Sequence, residues 1–342
     1  MNVLFIGGTG FISTAVSRLA LERGIELYHL NRGVRQRTVE GVHTITADAH
    51  RPDEVRAALR GMRFDVVVDW IAFTPDDIER DLALFSGDGA NGANDGAAGR
   101  IGQFVFISSA SAYQKPPTHY LITESTPLYN PYWEYSRNKI ACEERLLRAY
   151  RESGFPVTIV RPSLTYDAQL PVVTGGSGCY TVAARMKAGR PVVVHGDGAS
   201  LWVVTHSEDF ARGFVGLLGN EHAIGHAFHI TTDEVLTWNQ IYLGLAEALG
   251  VEPNLVHVPS DFIARVDPSL TGSLLGDKSW SVVFDNSKVK AFVPGFVATI
   301  PYREGIRRTL AQFDADERRR RIEPEVDETI DRILDAYGGR GG

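Results

Sequence analysis

An apolar run, Asn2-Val3-Leu4-Phe5-Ile6, stops at Gly7-Gly8, and from residue 11 the apolar spacing becomes helical, with Phe11, Ile12, Ala15, Val16 and Leu19 on one face. A strand that feeds a helix through a glycine turn must be followed by a parallel strand, because the chain has to cross back over the sheet. Short apolar runs at 25–30, 43–46, 64–69 and 103–107 continue the pattern, with helical stretches at about 52–60 and 75–85 between them. A long helix at 132–153 and a strand at 157–161 add a further unit. This alternation predicts an α/β fold, a parallel sheet wound on both faces by helices. The sheet unit is expected to take residues 1–165 and 200–232. A smaller α/β lobe from 166–199 and 233–335 is expected to cap a substrate.

The chain has 342 residues, 35 Lys+Arg against 42 Asp+Glu, and a net charge of −7. A nucleic-acid binder wants a basic stripe, and this balance argues against one. The 44% hydrophobic content is that of a soluble globular chain. No apolar run reaches the roughly 18 residues of a membrane span, and residues 1–6 lack the basic start of a signal peptide. The two cysteines, Cys142 and Cys179, have neither metal-ligand nor disulfide-framework spacing. A cytoplasmic, metal-free protein that touches neither membrane nor nucleic acid is expected. Residues 86–100, rich in Gly, Ala, Asn and Asp, read as a surface insertion, and the Gly-rich end at 338–342 as a frayed terminus.

Four motifs carry chemistry. The first is Gly7-Gly8-Thr9-Gly10-Phe11-Ile12-Ser13, with two glycines of a G-x-x-G-x-x-G spacing and Ser13 in the third place. Between a strand and a helix such a turn brings backbone and helix dipole close to a pyrophosphate. The second is Asn31-Arg32-Gly33 at the end of the second strand. An acidic residue there would hold both ribose hydroxyls of NAD; a neutral Asn31 and a cationic Arg32 favour NADP, whose 2′-phosphate suits the guanidinium fork. Arg32 stacking on adenine or facing water is the alternative. Asp48, after the third strand, is a candidate acceptor for the adenine amine or a cap of its own loop.

The third motif is Tyr135-Ser136-Arg137-Asn138-Lys139. Residues i and i+4 share a helix face, and with 12 tyrosines in the chain and lysine rare, this spacing arises about 0.2 times by chance. A phenol is a poor base near neutrality. A neighbouring ammonium, together with the positive nicotinamide of an oxidised cofactor, is expected to lower its pKa so that the phenolate can take the proton of a substrate alcohol while hydride leaves for the ring. The fourth is the serine-rich strand end Ser108-Ser109-Ala110-Ser111-Ala112-Tyr113, at the edge of a parallel sheet where ligands bind.

Together these residues resemble the extended, epimerase/dehydratase branch of the short-chain dehydrogenase/reductases, a Rossmann-fold family, over about residues 1–310. The glycine turn and Asn31-Arg32-Gly33 look most like the atypical members that include plastid stem-loop-binding proteins. The resemblance implies Ser109, four residues before Tyr113, as the catalytic hydroxyl, Tyr135 as acid/base and Lys139 as the ligand of the nicotinamide ribose. It places Gly7, Gly10, Phe11, Ile12, Asn31, Arg32, Asp48, Tyr135, Lys139 and Pro162 around NAD(P). It also implies a homodimer through the helices at 75–85 and 132–153.

Two departures matter. Where the family carries an arginine that clamps a substrate diphosphate, ahead of a His and an Asp that look like His206 and Asp209, this chain has Trp202. Where a second arginine precedes a Gly-Asp pair, here Gly276-Asp277, it has Leu274 and Leu275. A diphosphate buried without a cation is costly, so the substrate is expected to lack one. Trp202 then either stacks on a sugar or nucleobase or belongs to the core; Ser111 and His206 are further candidate substrate contacts. The acidic pair that follows the catalytic hydroxyl in the family's dehydratases is replaced by Ala110-Ser111, which leaves Glu134, Asp167 or Glu208 as candidate bases for elimination. The leading expectation is an epimerase/dehydratase-type enzyme acting through a transient ketone on a sugar or nucleoside. A net NADPH-dependent reductase of a carbohydrate-like carbonyl comes second, and a non-catalytic, RNA-binding Rossmann protein third.

Overall fold

The structure is a computed structural model that describes residues 1–33, 39–86, 101–174 and 179–338. Of the insertion read at 86–100 only Ser86, and of the Gly-rich end only Gly338, lie within the described residues. Strands β1 (Asn2–Ile6), β2 (Glu26–Asn31), β3 (His43–Thr46), β4 (Val66–Asp69) and β5 (Gln103–Ile107) alternate with helices α1 (Phe11–Glu22), α2 (Pro52–Ala58) and α3 (Pro75–Phe85). Helix α4 (Glu134–Ser153) follows, then strand Val157–Pro162. With Ala227–Ile230 they build one seven-stranded sheet in the order Ala227–Ile230, Val157–Pro162, β5, β4, β1, β2, β3. Every pairing in it is parallel.

A strand points successive side chains to opposite faces, and here both faces are covered. Leu4, Ile6, Val67, Phe104, Phe106 and Ile159 pack on one side among residues of α2, α3 and α4. Val3, Phe5, Val66, Val68, Val105 and Val160 pack on the other with α1 and the helix Ser207–Leu217. A third cluster contains Trp202, Trp238, Tyr242, Tyr302, Ile306 and Ile330 and packs the C-terminal half of the chain. Among the described residues no helix is long and apolar enough to cross a membrane.

The serine-bearing end of β5 is tied to α4 and to the neighbouring strand by one buried ion pair. Glu143 on α4 is fully buried, Arg161 is 4% exposed, and the guanidinium grips the carboxylate through Nε at 2.9 Å and Nη2 at 2.5 Å. Ser108 Oγ donates to the same carboxylate at 2.5 Å. Removing one partner leaves the other charged and dry. Arg161→Met is therefore expected to cost about 3–5 kcal/mol in urea unfolding, and the double variant Arg161→Met/Glu143→Gln to recover much of it; a double variant as weak as the single one would contradict this.

Candidate active site

β1 runs into Gly7 and Gly8, whose φ values of +98° and +83° lie where side chains are disfavoured. Neither place has room for one. A Cβ on Gly7 would stand 2.9 Å from Ile71 Cγ2, and one on Gly8 2.9 Å from the His29 ring. Gly10 then caps α1 without a side-chain acceptor, and the first turn of α1 holds no acidic residue. Ser13 and Thr14 turn their hydroxyls back to the Gly10 carbonyl, at 3.1 and 2.7 Å. The positive end of α1 and its N–H groups are left for an anion.

Two cavities meet at this turn. One, of about 280 Å³, is lined by Gly7, Asn31, Arg32, Asp48, Phe73 and Asp77 among others. The other, of about 350 Å³, is lined by Gly10, Phe11, Ile12, Ser109, Tyr135, Lys139 and Pro162 among others. They share Gly7, Thr9, Ile71 and Phe73, so one trough passes over the helix N-terminus. All ten residues expected around the dinucleotide line it. A dinucleotide held here would have its adenosine half in the first cavity, its pyrophosphate at the turn and its nicotinamide half in the second. Asn31 uses its side-chain oxygen on the Gly33 N–H at 2.9 Å, and Asp48 uses one oxygen to accept from His50 N at 3.0 Å. Asp48 is thus both a cap of its loop and a wall of the cavity.

Lys139 is the most constrained residue of the site. It is 2% exposed. Its ammonium donates to the carbonyls of Ala72 at 2.6 Å and Ile107 at 2.7 Å, and lies 4.6 and 4.8 Å from the ring centres of Phe73 and Phe106. Two of its three N–H bonds are spent and the third is left for a ligand. Burial pulls its pKa down to about 8.

Lys139 Nζ lies 5.8 Å from the Tyr135 ring centre, but the phenol pKa is raised: burial dominates, a hydrogen bond with Ser109 opposes it, and the charge of Asp277 adds to the rise. The phenol is therefore held protonated. A shared helix face brought the two side chains together without making the ammonium the phenol's counter-ion.

The serine strand end is resolved by local bonding. Ser108 is committed to Glu143. Ser111, expected at the substrate, is 3% exposed and is bonded by Ser136 Oγ at 2.7 Å and Ser109 Oγ at 2.9 Å. It positions Ser109 and does not face a ligand. Ser109 alone of the three both lines the cavity and reaches the phenol.

Trp202 and His206 also depart from expectation. Trp202 pairs through the short strand Leu201–Trp202 with Leu236–Thr237, which turns its ring inward; it is 1% exposed and 5.4 Å from Trp238. It is core. His206, also 1% exposed, caps the helix Ser207–Leu217 by accepting from Glu208 N at 3.3 Å and packs edge-on against Tyr166. Asp209 accepts the N–H groups of Thr299 and Ile300 at 2.9 and 2.8 Å. Of the candidate bases for elimination, Asp167 serves Ser207 and Gln312, Glu208 pairs with Arg308, and neither these nor Glu134 lines the trough.

The sequence reading missed the loop after β4. Asp69 is fully buried, accepts the N–H groups of Ile71 at 2.6 Å and Ala72 at 2.8 Å, and is held by Arg80 at 3.2 Å, which also grips Asp77 and Asp81. This brace sets the Ala72 carbonyl that holds Lys139. Its one legible sign was the capping box Thr74-Pro75-Asp76-Asp77 at the start of α3.

The model of the NAD dependent epimerase/dehydratase family matches residues 3–231. The chain belongs to that family. It is an enzyme of the epimerase/dehydratase type within the short-chain dehydrogenase/reductases, and the family is NAD-dependent. Among curated proteins it is 26% identical over 300 residues to 2′-dehydrokanamycin reductase of Streptomyces kanamyceticus, covering 86% of this chain and 80% of that one. It is 27% identical over 283 residues to the chloroplast stem-loop binding protein of 41 kDa b of Arabidopsis thaliana, covering 76% and 67%. Among solved structures it superposes on a UDP-glucose 4-epimerase of Thermus thermophilus in complex with NAD, with a TM-score of 0.67, 22% identity, and 92% and 99% of the two chains covered.

If the free N–H of Lys139 is what a dinucleotide ribose uses, NADH affinity must follow its protonation. Affinity is expected to hold below about pH 7 and to weaken as pH rises through about 8, where the ammonium is lost. Fluorescence titration from pH 6 to 10 reads this, and Lys139→Met is expected to bind more weakly at every pH with the break gone. A break of the same size in Lys139→Met would contradict the assignment.

Proposed function

We propose that this family member is a net reductase that delivers hydride from a reduced nicotinamide dinucleotide to a ketone on a carbohydrate-like or nucleoside substrate without a diphosphate. The observation that carries this reading is that Ser109, Tyr135 and Lys139 gather on the wall of one cavity while no candidate base for elimination lines the trough, and burial, which raises the phenol pKa, supports it. A phenol held as the acid is suited to protonating a developing alkoxide. The dinucleotide, when bound, supplies the hydride. Ser109 donates a hydrogen bond to the carbonyl oxygen, Tyr135 gives it the proton, Lys139 fixes the ribose, and the phenolate left behind regains a proton from solvent. This reverses the order expected from the sequence, in which epimerisation led. No candidate base for elimination lines the trough, and the reductase relative is matched over most of both chains.

A further cavity supports a substrate without a diphosphate. It measures about 490 Å³, has no arginine among its described lining residues, and among its charged lining has Asp267 and Glu325 against Lys278. It begins at Leu164, next in the chain to Pro162 and Ser163 of the nicotinamide cavity. Hydroxyl-bearing Thr174, Ser273 and Thr329 on its wall suit a polyhydroxylated ring. Arg32, exposed at the mouth of the adenosine cavity, supports NADPH over NADH. The outer faces of α3 and α4 are the proposed surface for a second copy.

The test follows absorbance at 340 nm in the oxidative direction, with NADP+ or NAD+ and, in turn, kanamycin, methyl glucoside, adenosine and UDP-glucose. Turnover is expected with an unphosphorylated compound and not with UDP-glucose; turnover of UDP-glucose alone would overturn the proposal. Tyr135→Phe is expected to lose roughly 10²–10⁴-fold in rate while still binding NADPH. Arg32→Ala is expected to weaken NADPH about tenfold, with NADH nearly unchanged.

A further inference from the structure

Lys115 is a lysine with no part in the chemistry described so far, yet it is 1% exposed. Its ammonium has no hydrogen bond of ordinary length to a described residue; Asp277 Oδ1, its ion-pair partner, stands 3.6 Å away. The other oxygen of Asp277 is 3.4 Å from Lys278 Nζ. The buried Lys115 ammonium, held slightly apart from its carboxylate, is short of a close hydrogen-bond partner among the described residues.

This pair stands near Tyr135, whose phenol feels the charge of Asp277. Asp277 and Lys278 lie on a π-helical turn, Leu274–Lys278, a form that recurs at functional sites. The turn packs on the residues that lead into α4. Asn130 Nδ2 donates to the Gly276 carbonyl at 2.7 Å, and a Cβ on Gly276 would stand 3.0 Å from Trp133 Cβ. Lys278 Nζ lies 5.5 Å from the Trp133 ring centre, and the Trp133 ring 5.0 Å from that of Tyr135. Lys278 also lines the 490 Å³ cavity.

The turn is fixed before any ligand arrives. The Lys278 carbonyl accepts from His195 Nε2 and Trp238 Nε1, each at 3.0 Å, and the Leu275 carbonyl from Trp280 Nε1 at 2.7 Å. Burial lowers the His195 pKa to about 4, so this clamp stays neutral and unchanged across the working pH range.

We propose that Lys115 and Asp277 form a donor–acceptor pair that binds a hydroxyl group on the substrate carbon next to the reacting carbonyl. The ammonium donates to the hydroxyl oxygen, and the carboxylate accepts its proton. An α-hydroxy ketone, or the vicinal diol it becomes, satisfies both groups at once; a bare ketone or lone alcohol leaves them unpaired. The pair selects substrate and takes no part in hydride or proton transfer.

The inference rests on the reading of the site as that of a ketone reductase. Its test is binding of trans-1,2-cyclohexanediol and of cyclohexanol to the protein saturated with NAD+ or NADP+, by saturation-transfer NMR. The diol is expected to bind roughly tenfold more tightly, the worth of a hydrogen bond to a charged group. Lys115→Met and Asp277→Asn are each expected to bring the ratio to about one with NADH affinity unchanged. Equal binding in the wild type, absence of diol binding, a preference that survives both variants, or a matching fall in NADH affinity would overturn it. NADH affinity itself is the separate readout of the dinucleotide site, so equal binding of diol and alcohol by a wild type that still binds NADH rejects this pair and leaves the reductase reading standing.

Discussion

One buried ammonium holds this site together. Lys139 reaches from α4 to the carbonyls of Ala72 and Ile107, which belong to the loop after β4 and to the end of β5. Three separately folded pieces of chain therefore meet at a single cation. A charge so far from water survives only because carbonyl dipoles and two aromatic faces replace its hydration. The replacement is incomplete, and burial draws its pKa to about 8. The residue is charged near neutrality and has one N–H unspent, which a ribose hydroxyl can take.

The geometry around that cation has its own supports. Asp69, clamped by Arg80, gathers the N–H groups of Ile71 and Ala72 and so sets where the Ala72 carbonyl points. On the other side, Glu143 and Arg161 pin Ser108 and leave Ser109 facing the trough. Ser136 and Ser111 pass a line of hydroxyl contacts to Ser109, which meets the phenol of Tyr135. The reacting groups are thus placed by buried polar networks and not by loops. In such a network each lost partner leaves an unpaired polar group, which is why a change at Arg161 is expected to be felt throughout this end of the sheet.

The sheet and dinucleotide trough were legible in the sequence because they depend on short-range pattern. Short apolar runs and the glycine turn located β1 to β5 and α1 to within a few residues, and the i, i+4 spacing put Tyr135 and Lys139 on one face. What failed depended on contacts far apart in the chain. Trp202 looked free to stack on a substrate until its strand was seen to pair with Leu236–Thr237, which buries the ring. His206 followed a family pattern but serves as a helix cap. Burial, invisible in the five residues from Tyr135 to Lys139, raises the phenol pKa against the hydrogen bond with Ser109. Lys115 and the π-helical turn that carries Asp277 had no local signal at all; residues 115 and 277 meet only once the C-terminal half has packed.

The central claim is that hydride leaves with the product, so the dinucleotide must exchange at every turnover. An epimerase of the same architecture would keep and recycle its cofactor. The most direct measurement is to denature the protein as purified, without added cofactor, and quantify any released dinucleotide by mass spectrometry. The account predicts far less than one dinucleotide per chain, readily replaced by NADPH from solution. A full equivalent of tightly held NAD, not displaced by excess NADPH, would contradict it.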